Sequence, residues 1–451
     1  MSRSRTSVLA AAAVAATLVV GGCGPESQDG ANGGDAAGSA SAPEAKLAHK
    51  VPMAKVDEMA GAMGMWTTDK NFVKADLKKV VGYPLDGGRP QWTVPLSGEI
   101  CWSSPEPTQD GLVAVVYEND KEDPSVCTEV GLIDLEQGKM RWHKRALDDG
   151  SAAMFDEVTI GGGTVAATGT SGSAGWTVGG RQVWGSFEGR CDEKGYAGGG
   201  RKLIAVRDCG TTDAPRLQVL TLDPRTRKAA SAFSAPAGTE YVHVVSADPL
   251  VLAVDDGHAQ GGSGISAFLS VDDSKPRATL RGRIGAKGGK YGKYSAECAS
   301  TEVTDCRQVA VSKRADALYL GTRKPLKPGS PADNDIVAFD LGTGRKKGSV
   351  PGTEDGALAP IGLDGNGDVL AYQEAGTYSE TGGAVWRVDA ATLKKKPLLR
   401  NEGSAYKTET SFEIGDSRVQ YAAGRLYLGA DDISGSSSMP GPLAAVYSTR
   451  G

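Results

Sequence analysis

Short apolar runs bounded by Gly, Asp or Asn recur along most of the chain. Apolar and polar positions alternate within them, and β-branched and aromatic residues are common, so the pattern predicts strands. Strands are predicted at residues 112–118, 203–208, 250–255, 317–322, 369–374 and 425–430. No amphipathic helical stretch separates these runs, so we expect an all-β protein.

Most of these predicted strands are followed by a second run that ends in an apolar residue and Asp and leads into a polar turn. The best copies end at Asp134 and Asp340, and weaker copies end at Asp223, Asp272 and Asp389. The gap from 134 to 223 holds one degenerate copy, with strands at 164–170 and 176–184. The gap from 272 to 340 holds an insertion with two cysteines.

Segments 81–85 and 443–448 add a unit at each end, which gives eight units of roughly 50 residues. A period of about 40 to 50 residues built from antiparallel strands is typical of a β-propeller. The sequence therefore predicts a single propeller, with eight blades favoured and seven as the alternative.

The Asp turn, with Gly four residues later and Trp after it, resembles the repeat of quinoprotein alcohol dehydrogenase-like (PQQ-like) propellers over residues 64–448. The resemblance implies that Asp134 and Asp340 start the turn between the third and fourth strands of a blade. It also implies that Gly138 and Gly344 take the left-handed backbone conformation, and that Trp142 docks between blades. These roles are structural, so they predict the fold more than the activity.

No fourth strand is predicted after residues 443–448, which would leave that sheet with an open edge. Residues 47–55 are apolar enough to lie on a sheet, and we expect them to pair with the last blade and close the ring. Pro52 lacks an N–H, so it is expected on the free edge of the added strand.

The first residues have the order of a secretory signal: Arg3 and Arg5, then a largely apolar segment of 13 residues from 8 to 20, too short to span a bilayer. The following Val20-Gly-Gly-Cys23 resembles the bacterial lipobox. That resemblance implies a diacylglyceryl anchor on Cys23 and a place on the extracytoplasmic face of the cell membrane. The Ala/Gly-rich, Lys-poor leader resembles those of actinobacterial lipoproteins.

Residues 23–46 are rich in Gly, Ala and Ser and hold almost no large apolar side chain. Such a segment cannot bury enough surface to order itself, so a flexible tether is expected. The predicted organisation is a signal peptide at 1–22, the tether at 23–46 and the PQQ-like propeller at 47–451.

Six cysteines remain besides Cys23, an even number that predicts disulfides in an exported protein. Six cysteines allow 15 pairings. Pairing of nearest neighbours is the simplest, since each bridge would close a local loop. The pairs would then be Cys101 with Cys127, Cys191 with Cys209, and Cys298 with Cys306.

The charge balance of 50 Lys and Arg against 55 Asp and Glu gives a net charge of −5. It argues against a nucleic-acid partner, because phosphate binding needs a basic face. One local basic excess lies between Arg277 and Lys293. We interpret it as a solvated loop, with contact to anionic lipid or a cell-wall polymer as the alternative.

Candidate chemistry is sparse, and we expect neither a cofactor nor a metal. Asp364, Asn366 and Asp368 have the spacing of calcium ligands. Val369 and Ala375 depart from the calcium-loop pattern, so a Gly/Asn turn is favoured. A quinone-dependent dehydrogenase of this fold would need a Trp floor, calcium ligands and, in many members, adjacent cysteines. No adjacent cysteines occur here.

The favoured interpretation is a non-catalytic binding or scaffold module, monomeric, with a protein or cell-envelope partner. A quinone-dependent dehydrogenase and the ligand-sensing ectodomain of an envelope signalling system are the alternatives.

Overall fold

The computed structural model describes residues 42–450, except 122, 149, 187–190, 212, 257–263, 287–292, 300, 324–333, 353–355, 377–378 and 434–440. The predicted signal peptide, Cys23 and most of the predicted tether lie outside this part. No helix in the described part is long and apolar enough to cross a bilayer.

The strands form antiparallel units of four, numbered here along the chain. Before unit 1 come β1 (Glu44–Val51) and β2 (Ala60–Gly61). Unit 1 contains β3–β6 (Met65–Thr67, Asn71–Asp76, Lys79–Pro84, Trp92–Pro95). Unit 2 contains β7–β10 (Ile100–Ser103, Leu112–Asn119, Asp123–Asp134, Lys139–Lys144). A hairpin, β11 (Leu147–Asp148) and β12 (Ser151–Ala152), leads to unit 3.

Units 3 to 5 continue this pattern. Unit 3 contains β13–β16 (Glu157–Gly161, Thr164–Gly169, Gly172–Thr177, Gln182–Ser186). Unit 4 contains β17–β20 (Asp192–Gly199, Lys202–Asp208, Leu217–Leu222, Ala229–Ser234). Unit 5 contains β21–β24 (Tyr241–Ala247, Leu250–Asp255, Ala267–Asp272, Thr279–Gly285).

The last three units complete the ring. Unit 6 contains β25–β28 (Val309–Ser312, Ala317–Gly321, Asp335–Asp340, Lys346–Pro351). Unit 7 contains β29–β32 (Leu358–Leu363, Val369–Gln373, Ala384–Val388, Lys395–Asn401), followed by a 3-10 turn (Gly403–Ala405) and helix α1 (Tyr406–Glu409). Unit 8 draws on β33–β36 (Ser417–Ala422, Arg425–Ala430, Asp432–Ile433, Ala444–Ser448). There β35 pairs with β2 outside the main sheet.

The units are arranged as a β-propeller, which confirms the predicted fold class. Six units are separate four-stranded sheets, and units 7 and 8 join in one eight-stranded sheet. The described residues thus form eight four-stranded units. Directions alternate within each unit, so all first strands begin at one end of the ring, which we call the upper end. The connections between units lie at the upper end, and the turns between third and fourth strands lie at the lower end.

Apolar side chains fill the space between neighbouring units. One such cluster joins Val116 and Leu132 of unit 2 to Val158 and Trp176 of unit 3. A four-stranded sheet cannot bury both faces alone, so stacking around an axis buries them. This explains why the second and third strands are buried at most of their positions.

The first strand of the chain closes the ring, as predicted. Strand β1 pairs antiparallel with β36, from Lys46 opposite Ser448 to Val51 opposite Ala444. It also pairs in parallel with the end of β32. It therefore supplies the fourth strand of unit 8.

The boundaries of that closing strand differ from the prediction. It begins at Glu44, inside the predicted tether, and ends at Val51. Pro52 lies just outside the strand, because a residue without an N–H ends the ladder more readily than it joins it.

Two other predictions need correction. Residues 176–184 form a hairpin, because β15 ends at Thr177 and Gly180 turns with a φ of 84°. Within the predicted solvated loop between Arg277 and Lys293, residues Thr279–Gly285 instead form β24, the fourth strand of unit 5, and residues 287–292 lie outside the described part. This strand alternates exposed and buried positions at its end. The surrounding Lys and Gly made that alternation hard to recognise in the sequence.

Candidate functional site

A cavity of about 530 Å³ lies among the first strands of units 5 to 8. Its wall includes Val245, Val309, Pro360 and Val419, one from each of these strands. Residues from other connections complete the lining, among them Pro105, Glu106, Asp305 and Arg307. The arrangement places the cavity near the axis of the ring.

The insertion between units 5 and 6 closes over this region. We call its described residues, 293–299 and 301–308, the plug. The N–H of Val303 donates to the Glu157 carboxylate of unit 3 at 2.6 Å, and the N–H of Val244 in unit 5 donates to the Val303 carbonyl at 2.8 Å. On the other side, Arg307 donates to the carbonyl of Gly415, just before unit 8, at 3.2 Å. Contacts to units 3, 5 and 8 show that the plug crosses the axis.

The six cysteines besides Cys23 form three disulfides, in the predicted nearest-neighbour pairs. Cys101–Cys127 links two strands of unit 2, and Cys191–Cys209 lies in unit 4. Cys298–Cys306 spans eight residues within the plug. The third bridge therefore constrains the segment that crosses the axis.

Four charged side chains link the plug to unit 8. Arg307 donates to Asp305 at 2.8 Å and also to Asp431. Arg418 pairs with Asp431 at 3.1 Å and with Asp305 at 3.0 Å. Burial raises the pKa of Asp305, but the guanidinium groups of Arg418 and Arg307 outweigh it and hold that pKa below its ordinary value. Two cations and two anions thus neutralise one another beside the cavity.

Glu157 is the most perturbed carboxyl group that touches the plug. Its side chain is buried at the start of β13, and burial raises its pKa to about 8. The hydrogen bond from Val303 acts in the opposite direction, and the charge of Glu302 raises the pKa further. The plug is therefore held by a carboxyl group whose ionisation is costly.

The predicted repeat turns lie between the third and fourth strands of units 2 and 6. Asp134 accepts from the N–H of Gln137 at 2.8 Å, and Asp340 accepts from the N–H of Thr343 at 2.9 Å. Gly138 and Gly344 have φ values of 61° and 70°. A Cβ at Gly138 would lie 2.2 Å from the Trp92 ring, so a side chain is excluded there.

Trp142 bridges two units. Its indole N–H donates to the carbonyl of Val178, in unit 3, at 2.9 Å. None of the seven tryptophans is among the residues that line the described cavity.

The calcium candidate residues form a turn. Asp364 accepts from the N–H groups of Asn366 and Asp368 at 2.9 and 3.0 Å. Asp364 also pairs with Arg387 at 2.8 Å, and Asp368 pairs with Arg314. The carboxylates are already engaged by backbone N–H groups and arginines, which agrees with the turn interpretation.

The upper end carries exposed apolar side chains. Met59, Leu147 and Met154 are 76%, 63% and 38% exposed, and all three lie in connections between units. These connections pack together, because Met63, Ala146, Phe155 and the plug residue Ala299 share one apolar cluster. We call the three exposed side chains the upper patch.

Sequence reasoning found the repeat turns and cysteines but not Glu157, Arg307, Arg418 or the upper patch. The charged groups come from units far apart in the chain, and no local motif connects them.

No family model and no curated protein matches the sequence. Several solved structures have a similar architecture. The computationally designed Ika8 protein is 11% identical, with 88% of this chain and 99% of that chain covered and a TM-score of 0.49. BamB from Moraxella catarrhalis is 13% identical, with 89% and 99% covered and a TM-score of 0.45.

The β-propeller domain of Cps50 (Swd1) from Myceliophteria thermophila is 11% identical, with 71% of this chain and 96% of that chain covered and a TM-score of 0.41. By its own strand pairing, the chain is a β-propeller.

Proposed function

We propose that the protein is an exported, lipid-anchored and non-catalytic binding module. It engages a protein or cell-envelope partner through the upper patch and stays at the membrane through a diacylglyceryl group on Cys23. The observation that carries this proposal is the upper patch, which holds three of the five exposed large apolar side chains in the described residues.

The connections that carry the upper patch are held in place by apolar packing and by a disulfide. Apolar packing joins the connections beneath Met59 and Leu147, and the disulfide-bearing plug joins the same cluster. A preorganised surface loses little entropy on binding, and exposed apolar groups gain from being covered. Function in such folds is commonly carried by connections on a rigid scaffold.

The chain between Cys23 and the first strand is long enough for a lipid anchor. Strand β1 begins at Glu44, so residues 24–43 separate Cys23 from the propeller. Twenty residues can span at most about 70 Å, enough for the ring to stand clear of a bilayer. Two acyl chains hold a protein stably where one does not.

The partner test compares the intact protein with a Met59→Ser, Leu147→Ser, Met154→Ser variant in crosslinking pull-downs from intact cells. We expect a specific partner with the natural sequence and its loss with the variant. Leu363→Ser is the matched control, because Leu363 is 37% exposed at the end of a first strand, at the lower end. Equal capture by all three proteins would refute the proposal.

The anchor has its own test. Cys23→Ser is expected to abolish labelling with an alkyne fatty acid and to release the protein or leave its precursor uncleaved. Unchanged labelling and membrane retention would refute the anchor without bearing on the upper patch.

A further inference from the structure

The outer surfaces of units 4 to 7 form one continuous band. The turn of unit 5 packs on the outer strand of unit 4, where the N–H of Ala232 donates to the Pro276 carbonyl at 2.9 Å. The turn of unit 6 packs on β24 so closely that a Cβ at Gly344 would lie 2.2 Å from the Arg283 carbonyl oxygen. The side chain of Leu393 in unit 7 lies against Gly348 of unit 6 in the same way. Each turn therefore joins the next outer strand.

This band is strongly basic. We define the basic band as the third-to-fourth-strand turns and outer strands of units 4 to 7, residues 223–234, 272–285, 340–351 and 389–401. It contains fourteen Lys and Arg against five Asp, a net charge of +9, although the whole chain carries −5. The rest of the protein is correspondingly acidic, so the positive charge is concentrated on one side.

Most of the acidic groups in the band already accept hydrogen bonds or form an ion pair. Asp223, Asp340 and Asp389 each accept N–H groups of their own turns. Asp273 pairs with Lys202 at 2.8 Å. Within the band, the described carboxylates pair with only part of the cations, such as Lys347 with Asp340 at 3.9 Å.

Each unit also offers a cation without a salt bridge in the described residues. Lys228, Arg283, Lys346 and Lys396 are all exposed, one in each of units 4 to 7. Leu280, 47% exposed, lies on β24 among these charges. Cations around an exposed apolar side chain are the composition expected at a headgroup interface.

We propose that the basic band docks the propeller on an anionic phospholipid surface. This rests on the proposed membrane location, which it deepens by giving the ring an orientation. The turns of the band lie at the lower end, so docking leaves the upper patch free for a partner. Each cation near an anionic leaflet gains about fivefold in partitioning, and the attraction falls off within a Debye length.

The test uses the chain from residue 24, which lacks the acyl group but contains every strand from β1 to β36. Sedimentation with phosphatidylcholine vesicles, with and without phosphatidylglycerol, measures binding at low and high salt. We expect binding only to phosphatidylglycerol vesicles, and its loss at high salt. Because Cys23 is absent, a failed anchor does not affect this result.

A charge variant locates the surface. Lys228→Gln, Arg283→Gln, Lys346→Gln and Lys396→Gln together are expected to weaken vesicle binding at least about tenfold. The matched control is Lys50→Gln, Lys139→Gln, Lys144→Gln and Arg181→Gln, four exposed cations of units 8, 2 and 3. It is expected to bind within about twofold of the natural sequence. Thermal melting checks that both variants fold.

Three results would overturn the proposal. They are no vesicle binding by the natural sequence, equal weakening in both variants, and binding to inorganic polyphosphate without binding to vesicles. The last result would point to an anionic polymer as the ligand of the band.

Discussion

The guanidinium of Arg425, in unit 8, donates to both carboxylate oxygens of Asp86, in the connection after β5 of unit 1, at 2.6 and 2.7 Å. The two residues are 339 positions apart in the chain. Their exposures differ sharply, since the Arg425 side chain is 5% exposed and that of Asp86 is 50% exposed. The pair joins the last unit of the ring to the first.

The unequal burial predicts unequal costs of substitution. Asp86→Ala leaves a buried cation without its hydrogen-bond partner and is expected to lower the free energy of unfolding by about 2–3 kcal/mol. Arg425→Met leaves only a half-exposed carboxylate and is expected to cost about 1 kcal/mol. Urea unfolding measures the free energy of unfolding of both variants. A larger loss for Arg425→Met than for Asp86→Ala would contradict this prediction.

The closing strand predicts a cooperative loss of stability. Val51, at the end of β1, is 3% exposed within the cluster that contains Phe72 and Tyr427. Val51→Asp buries a charge there and is expected to lower the melting temperature of the whole ring by more than about 5 °C. Lys50→Asp, on the exposed neighbour, is the control.

Deletions test the same strand more strongly. Removing residues 44–51 is expected to destabilise every unit in one transition, whereas removing residues 26–41 is expected to leave the melting temperature unchanged. If both deletions melt like the parent protein, β1 does not close the ring.

The plug disulfide predicts a local effect besides a global one. Cys298→Ala with Cys306→Ala removes a short bridged loop and is expected to cost about 2.5 kcal/mol of stability. Hydrogen exchange is expected to quicken in Val303 and Arg307 before the rest of the ring. The Cys191→Ala, Cys209→Ala pair is the control, and equal exchange in the plug of both variants would count against a plug held by its own bridge.

All six cysteines besides Cys23 are also expected to be oxidised to disulfides in the mature protein. Thiol titration of the denatured, unreduced mature protein should find essentially no free thiol. Two or more free thiols would show that at least one bridge is absent.

Glu157 predicts a pH dependence of stability. Burial raises its pKa from 4.5 to about 8, so the folded chain holds this proton more tightly than the unfolded chain does. The stability from this group is complete below about pH 4.5 and is lost as the pH rises toward 8. Glu157→Gln stays neutral and keeps an oxygen to accept from Val303, so it does not suffer this loss.

The measurement is the difference in melting temperature between the variant and the natural sequence at pH 5 and pH 9. We expect the variant to gain several degrees relative to the natural sequence at the higher pH. Glu58→Gln, on an exposed residue, is expected to show no such gain. A difference that stays constant with pH would contradict the buried-carboxyl account.

Much of the fold could be predicted because its signals are local. A motif of a few residues, from Asp134 to Gly138, is enough to identify the turn, and the same spacing recurs at Asp340. Strand alternation and repeat length then limit the architecture to stacked sheets. The closing strand could be predicted because the last sheet would otherwise have an unpaired edge after residues 443–448.

The candidate site could not be predicted in this way. Arg307 meets Asp431 across 124 residues, and Glu157 meets Val303 across 146. Such contacts depend on how the insertion folds over the axis, and no spacing in the sequence encodes that path. The basic band was likewise hidden, because only the stacking of units brings Arg283, Lys346 and Lys396 onto one surface.

Binding through the upper patch is tested most directly by a photoreactive amino acid placed at Leu147 or, for comparison, at Leu363 in intact cells. Both side chains are exposed and apolar, but Leu147 lies in the upper patch and Leu363 at the lower end. The proposal predicts a discrete protein or envelope adduct from position 147 that is absent from position 363. The same adducts from both positions, or none from position 147, would contradict it.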